Sequence, residues 1–403
     1  MRVLIVTPYP VLPPTHGGRV RTFRLATALA AANPSTSVDV LCPWHPNAPP
    51  RRFRIHGVDF QPQFFLGNML PVLLPEQLVP PLVALSLQPF GPGPRRRLRD
   101  IDSYDVVQFE FCAHSQWMDR LRGRTHLVYS AHNVEWDFWR SHRDPPVPAP
   151  ALRRLRALEA RAVAASDVVL ASTAADEARL RELYGERPVF AVVPNGFDDA
   201  LLELDRAALR DRSRIALGIS PTERVLLFVG GRAAHNRTAV RFLERELAPR
   251  LSRDTTILVV GEAARFVEGA NGSVRPLGYV PELAVAFASA DVALNPISHG
   301  SGSNLKLPEY LAAGLPVVTT TFGMRGLEQF ADSFTVAELD EFADAVQEPV
   351  APPASSRAEL RAWTWANIGR RLHELYERLI ATPPAEMAAA ADSIDGGHPA
   401  ESG

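Results

Sequence analysis

Pro296-Ile-Ser-His-Gly300-Ser301-Gly302-Ser303-Asn304-Leu-Lys306-Leu-Pro308-Glu309-Tyr-Leu-Ala-Ala-Gly314-Leu-Pro316-Val-Val-Thr-Thr320 reads as a Gly/Ser loop, a short helix and a strand. Pro308 is tolerated because the first amides of a helix have no intrahelical acceptor. Gly314 ends the helix, and Pro316 prevents it from continuing. The strand that follows is a continuous apolar run. Such a run indicates burial on both faces of a parallel sheet. The loop's free N–H groups and the start of the helix form an anion site. Lys306 brings a point charge within reach of it. Glu309, three residues on, shares its helical face. A cation and a carboxylate beside an anion site suit a nucleotide diphosphate. The cation would meet phosphate oxygens, and the carboxylate would accept from ribose hydroxyls. The plain alternative is an exposed helix carrying an i, i+3 ion pair.

Outward from this stretch, short β-rich runs alternate with helical patterns. Strands are expected at 3–6, 37–41, 106–109, 126–130, 168–171 and 189–193. A second series is expected at 224–229, 256–260, 274–276, 292–295, 317–320 and 334–336. Helices at 19–31 and 151–165 fall between strands of the first series. The pattern predicts two Rossmann-like doubly wound α/β domains facing across a cleft. Their expected bounds are 1–198 and 199–355. A single amphipathic helix at 360–380, within a segment 356–380, is expected to cross back to the first domain. The Ala-, Pro-, Gly- and Ser-rich end, 381–403, is expected to be a disordered tail.

Composition narrows the function classes. The 403 residues are too many for one core, which rarely grows past about 250 to 300 residues. Net charge is −2, so no bulk basic charge argues for nucleic acid. The two cysteines, Cys42 and Cys112, support neither a disulfide framework nor metal-ligand spacing. Buried thiols in a reducing cytoplasm are expected. The opening apolar run is too short for a signal segment and ends at proline. Of 43 basic residues only Lys306 is lysine, and the other 42 are arginine. Where a bias has removed lysine everywhere else, the one that survives marks its position.

Ligands of open α/β sheets bind beyond the C-terminal ends of the strands. The loop after the first strand carries Gly17 and Gly18 before a helix, which permits close approach to an anion or sugar. A tight turn is the competing reading. The dinucleotide fingerprint G-x-G-x-x-G is absent, which disfavours an NAD oxidoreductase. His132 follows the strand 126–130, and Glu110 follows 106–109 as a weaker candidate of the same kind. After 224–229 come Gly230, Gly231 and Arg232, where a planar, permanently charged donor suits a phosphate.

Together these segments resemble glycosyltransferase family 4, of the glycosyltransferase-B fold. The resemblance covers about residues 1–380. It rests on Pro-Pro-Thr-His-Gly17-Gly18, Ser130-Ala-His132-Asn-Val-Glu, Ala165-Ser-Asp-Val-Val-Leu-Ala-Ser172 and Val193-Pro-Asn-Gly196. Phe228-Val-Gly-Gly231-Arg232, Gly278-Tyr-Val-Pro and Gly300-Ser-Gly-Ser-Asn-Leu-Lys306-Leu-Pro-Glu309 complete it. The resemblance implies transfer of a sugar from a nucleotide donor with retention of configuration. The second domain would hold the nucleotide and the first the acceptor. It implies Lys306 and Arg232 as the diphosphate clamp, Glu309 as the ribose-binding carboxylate and His132 as the histidine near the donor sugar. Gly17, Gly18 and Gly231 would approach the phosphates, and Tyr279 and Val280 the base. Ser301 stands where the family's usual first glutamate would be. Amides at Gly302 and Ser303 would then substitute in holding the donor sugar. Asn236 and Arg237 occupy the region of a second basic residue.

Protein cations are expected to take the place of a metal, and no cofactor is expected. In retaining members of this fold the departing phosphate takes the acceptor proton, so no general base is assigned. The expected partners are a nucleotide-sugar donor and an acceptor that is a polysaccharide, a lipid-linked sugar or a small natural product. The competing functions are a non-catalytic nucleotide-sugar binder and a nucleotide-sugar epimerase on the same fold. A cytoplasmic location is expected, with peripheral contact at the inner membrane face as one reading of segment 64–87 and Arg95-Arg-Arg97. The other reading is a helical insertion packed on its domain. Its prolines rule out an unbroken spanning helix.

Overall fold

The protein was analysed as a computed structural model. The structure describes residues 1–14, 17–44, 49, 51–63, 98–141, 146–186, 188–269, 272–299, 306–350 and 358–383. The contacts divide the chain into two compact units, Met1–Pro194 with Ile368–Gly403, and Asn195–Asn367.

The first unit is built on β1 (Arg2–Val6), β2 (Ser37–Pro43), β3 (Phe53–Ile55), β4 (Val58–Gln63), β5 (Val106–Glu110), β6 (His126–Ser130), β7 (Val168–Ala171) and β8 (Val189–Val192). Their order in the sheet is β3-β4-β2-β1-β5-β6-β7-β8. Every pairing is parallel except β3 with β4. Its helices include α1 (Gly17–Ala32), α2 (Ser115–Leu121), α3 (Glu135–Arg140), α4 (Ala149–Ala165) and α5 (Ala174–Tyr184). One sheet face, with Leu4, Val6, Val107, Phe109, Leu127 and Tyr129, joins Met118, Leu121, Leu155 and Leu158 of the helices in one core. In α4, Leu155, Leu158, Glu159, Ala162 and Val163 are buried, the spacing of a core-facing stripe. A carboxylate therefore lies on an otherwise apolar face.

The second unit holds β9 (Arg224–Val229), β10 (Thr255–Val260), β11 (Val274–Gly278), β12 (Val292–Asn295), β13 (Val317–Thr319) and β14 (Thr335–Val336). These form a parallel sheet in the order β11-β10-β9-β12-β13-β14. Its α-helices include α6 (Arg206–Leu217), α7 (Ala234–Phe242), α8 (Leu283–Ser289), α9 (Lys306–Ala312) and α10 (Phe342–Ala345). Alternate residues of one strand enter different cores. Val225, Leu227 and Val229 pack with Leu307, Tyr310 and Leu311, whereas Leu226 and Phe228 pack with Val240, Leu243 and Phe342. That two-sided burial is why the strands read as continuous apolar runs. Helix α6 is bounded by its own sequence. The Asp205 carboxylate accepts from the Ala208 amide at 3.0 Å, and Gly218 closes it in the left-handed conformation.

Two parallel-sheet α/β domains are thus present, as the alternation predicted. Several boundaries differ. The edge strand β3 and its neighbour β4 were not expected, because their short mixed stretches lack an apolar run. The helix expected at 360–380 is broken. A 3₁₀ turn at Arg361–Trp363 ends at Thr364, whose backbone is extended, and α11 (Trp365–Ile380) starts afresh. The Thr364 hydroxyl caps it by accepting from the Asn367 amide at 3.3 Å. Within the first unit α11 packs against α1, and a methyl group at Gly369 would lie 2.6 Å from the Ala28 backbone. Gly17 and Gly18 do not precede α1, as the sequence suggested, but form its first turn.

The two readings of 64–87 with 95–97, and most of the tail expected at 381–403, lie outside the described residues. Among the described residues no helix is long and apolar enough to cross a membrane. Cys42 and Cys112 are both free and buried, and burial pushes the Cys42 thiol up to about 12.

Candidate functional site

Two clusters of polar side chains collect at C-terminal strand ends, one in each unit. In the first unit, His132 directly follows Ala131 beyond β6, and Glu110 is the last residue of β5. The register places Glu110 opposite Ser130, so both loops leave the same sheet edge. His132 Nε2 hydrogen-bonds the Glu110 carboxylate. The same carboxylate accepts from the Thr22 hydroxyl at 3.1 Å and from the Gln108 amide. Tyr376 of α11 donates in turn to Gln108. Tyr9 Oη lies 2.8 Å from Thr22 Oγ1. Arg21, 1% exposed, donates to the Val193 carbonyl at 2.6 Å.

Burial pushes the Glu110 carboxyl up, but the His132 ring, the Arg21 guanidinium and the Gln108 amide outweigh it. The group is held below the usual carboxylate range. Burial pulls His132 down, and Arg21 adds to that pull against Glu110. An ionised Glu110 and a neutral ring assign the ring proton to Nε2, as donor. Nδ1 then faces Gly18, where a methyl group would approach it to 3.4 Å. The Phe111 ring packs on the imidazole with centroids 4.2 Å apart. Gly18 therefore brings the start of α1 close to an oriented imidazole.

The segment after His132 is held by a second buried acid. Glu159 of α4 accepts from the amides of Glu135 at 2.7 Å and Trp136 at 3.1 Å. Tyr184 donates to it at 2.7 Å and Tyr129 at 3.4 Å. Glu135 accepts from the Asn133 amide at 3.0 Å and the Trp139 indole at 3.2 Å. Burial, then repulsion from Glu159, raises Glu135 to about 8. Burial, only partly offset by its hydrogen bonds, raises Glu159 to about 7.

These two acids set a pH dependence. Raised folded values mean that the native state keeps protons the unfolded chain releases. Stability must therefore fall as pH rises towards 8. Below 6.5 the buried histidines His114, His126 and His132 act in the opposite sense, since burial lowers each of them. The clean window is pH 6.5 to 8. Each acid there contributes a loss of at most about 1.4 kcal/mol per pH unit. Denaturant midpoints at the two pH values are expected to show this decline for the wild type. Glu135→Gln is expected to flatten it, and an unchanged slope in that variant would refute the assignment.

In the second unit, Lys306 opens α9 and donates to Glu309 at 3.1 Å. Both side chains are partly exposed, at 27% and 19%. The next residue, Tyr310, is fully buried, and its hydroxyl accepts from the Val229 amide at 2.9 Å. This bond ties α9 to the last residue of β9, immediately before Gly230-Gly231-Arg232. Arg232 itself is exposed. The Asn236 amide closes the loop on the Gly231 carbonyl at 3.2 Å. Neighbouring strand ends meet through backbone. Ala263 N donates to the Gly230 carbonyl at 3.0 Å, and Gly261 N to the Gly278 carbonyl at 2.7 Å. Gly261 has φ +85°, and a methyl group there would sit 2.5 Å from the Gly230 oxygen, so only glycine fits.

Tyr279 follows Gly278 and is 83% exposed, whereas Val280 packs on the core. Burial, with His299 and Arg325 adding repulsion, lowers His235 to about 4. Ser301, Gly302 and Ser303 lie outside the described residues. Among the described residues no three His, Cys, Asp or Glu side chains gather as a metal-ligand set.

The structure thus joins His132 to Glu110 and Gly18, and Lys306 to Glu309. Arg232 leaves the strand next to β12, which precedes the Lys306 loop. Sequence reading passed over Arg21, Glu159 and Tyr310. Glu159 had a signal, its place in the apolar stripe of α4. Arg21 had none among 42 arginines, and Tyr310 read as ordinary core.

Comparison with known proteins adds the following. Residues 15–201 match the family model Glycosyltransferase Family 4, and residues 223–351 match Glycosyl transferases group 1. A D-inositol 3-phosphate glycosyltransferase of Thermomonospora curvata is 29% identical over 249 residues, 56% of this chain and 57% of that protein. A UDP-N-acetylglucosamine--N-acetylmuramyl-(pentapeptide) pyrophosphoryl-undecaprenol N-acetylglucosamine transferase of Clavibacter michiganensis is 28% identical over 205 residues, 46% and 54% of the two chains. The matched stretches span little more than half the length of these relatives. Among solved structures, a sucrose-phosphate synthase from Thermosynechococcus elongatus shares the fold. Its TM-score is 0.72 and its identity 16%, over 94% of this chain and 99% of that one.

Proposed function

The chain belongs to the family 4 and group 1 glycosyltransferases, and from that premise we propose that it transfers a sugar from a nucleotide-diphosphate donor to an acceptor, with retention of anomeric configuration. The observation that carries this reading is the Lys306–Glu309 pair at the start of α9, tied through Tyr310 to the strand that delivers Gly230, Gly231 and Arg232. A compact ammonium and a guanidinium beside two strand ends suit a diphosphate, and a carboxylate one turn away suits ribose hydroxyls.

The reaction breaks a sugar–phosphate bond while charge builds on the departing diphosphate. Lys306 and Arg232 stabilise that charge where it develops. Glu309 accepts from the ribose and, before donor binds, holds the Lys306 ammonium in place. Gly231 admits the phosphates to the backbone, and Ser301, Gly302 and Ser303 hold the donor sugar. The base lies along Tyr279 and Val280. In the first domain, which takes the acceptor, His132 presents Nδ1 to the sugar while Glu110 fixes its other nitrogen. Gly17 and Gly18 allow the start of α1 to approach the phosphates. The departing phosphate takes the acceptor proton, so no side chain is assigned as general base. Protein cations meet the charge without a metal, and excess chelator is expected to leave transfer unchanged.

The test is incubation of the full chain with UDP-, GDP- and ADP-sugars, reading release of the nucleotide diphosphate and the anomeric configuration of the product. Phosphate-bearing acceptors come first, because the relatives above are named for D-inositol 3-phosphate, pyrophosphoryl-undecaprenol and sucrose-phosphate. Thermal stabilisation by a nucleotide sugar without transfer or hydrolysis would identify a binder instead. A changed sugar formed without acceptor would identify an epimerase.

A further inference from the structure

Helix α3 begins at a residue unsuited to begin it. Its N-cap is Val134, which has no side-chain acceptor for the first amides of the helix. Those amides have no intrahelical partner either, and burying them unpaired is costly. The acceptor comes from another element. Glu159, fully buried on the apolar stripe of α4, reaches both Glu135 N and Trp136 N with its two oxygens. Tyr184 of α5 and Tyr129 of β6 hold that carboxylate in turn. The other end of the same segment is pinned independently. Ala131 N donates to the Leu170 carbonyl at 2.9 Å, and the Ser172 hydroxyl lies 3.3 and 3.2 Å from the Ala131 and His132 carbonyls. His132 sits between these two anchorages, and its ring must meet Glu110, Phe111 and Gly18 together.

We propose that Glu159 is a positioning residue for His132, acting as the N-cap of α3 that Val134 cannot supply. The inference rests on the reading of His132 as the histidine at the donor sugar. The groups facing the Glu159 carboxylate are Glu135 on α3, Tyr184 on α5, Tyr129 on β6 and Cys112 after β5. None of these is a cation, so the two helix amides and two phenols are what hold it. Glu159→Gln keeps the shape but places an amide donor where one of the two N–H groups needs an acceptor.

The test uses the full chain and reads UDP released from UDP-glucose or UDP-N-acetylglucosamine, whichever the wild type consumes faster. Glu159→Gln is expected to lower kcat at least tenfold with KM for the donor changed less than threefold. In a His132→Ala background the same change is expected to cost less than twofold, because its effect runs through that ring. Val134→Thr, of the same shape but with a capping hydroxyl, is expected to restore most of the loss in the Glu159→Gln chain. Activity within twofold of wild type in Glu159→Gln, an undiminished loss in the His132→Ala background, or no rescue by Val134→Thr would each overturn the proposal. Should Glu159→Gln fail to fold, Tyr184→Phe is expected to give a smaller loss with the same dependence on His132, and a loss independent of it would overturn the proposal. The ring resonances of His132 give a readout that needs no turnover. They are expected to shift in Glu159→Gln and return with Val134→Thr. A wild type that consumes no nucleotide sugar would sink the transferase reading, while unmoved resonances would sink the capping role.

Discussion

Lys306→Ala is expected to slow sugar transfer by two to three orders of magnitude, with the protein still folded. The ammonium lies at the start of α9, 3.1 Å from Glu309 and partly exposed. Its removal leaves no large cavity and no buried charge, so unfolding is expected to shift little. What is lost is a fixed positive charge where the departing diphosphate gains negative charge. Removing one such preorganised donor typically costs about 3 to 4 kcal/mol, or a hundred- to thousandfold in rate. The partly exposed ion pair contributes far less to stability, about 1 kcal/mol or less. The two magnitudes separate a catalytic lysine from a surface one. Lys306→Arg is expected to keep part of the rate, because the charge remains while the planar guanidinium fits a different geometry. The measurement is kcat at saturating nucleotide sugar beside a thermal melt. A Lys306→Ala chain with full kcat refutes the assignment of Lys306, and one that melts early attributes the loss to folding.

That lysine was legible because it stood out against 42 arginines and fell within a loop–helix–strand pattern with its own stop signals. Both sheets were legible for a related reason. Strands buried on two faces read as continuous apolar runs, and β6, β7, β9 and β12 each hold such a run of three residues or more. The strands at the β3 end of the first sheet carry less of it. In β3 and β4, Arg54 and Asp59 are paired across the ladder, and a run interrupted by charge does not read as strand. The break at Thr364 was hidden because helical periodicity continues through it, and only a backbone turn and a hydroxyl cap interrupt it. The polar cluster around His132 was half legible. Strand-end position pointed to His132 and Glu110, but the groups that orient them come from far along the chain. Arg21 reaches Val193 across 172 positions, and Tyr376 reaches Gln108 across 268. No local period encodes such contacts. Glu159 is the instructive miss, because an acid inside an apolar stripe is itself a sign of a buried acceptor.

Glu110→Ala is expected to destabilise the first domain by about 3 to 5 kcal/mol, the usual cost of removing one charged member of a buried network. Arg21 is the charge that loses its largest support. Its guanidinium is buried, and Glu110 is the largest of the charges that support it against that burial. The alanine also removes the acceptor for His132, Thr22 and Gln108 at once. Each of those donors is then buried with a lost partner, which adds to the cost. The second domain has its own core and is expected to keep its stability. Hydrogen–deuterium exchange separates the two, since peptides over β5 and β6 should lose protection while those over β9 and β12 retain theirs. The pH dependence gives an independent check. The Glu110 carboxyl is held below its ordinary 4.5 in the folded state, so its stabilisation is complete above that value. It is lost as pH falls through the lower folded value, where the native carboxylate must take up a proton. Wild type is therefore expected to lose stability steeply below pH 4.5, and Glu110→Ala to lose less over the same interval. A loss of protection shared equally by both domains would locate the effect elsewhere, and a destabilisation under about 1 kcal/mol would mean that the other groups around Arg21, not Glu110, support it.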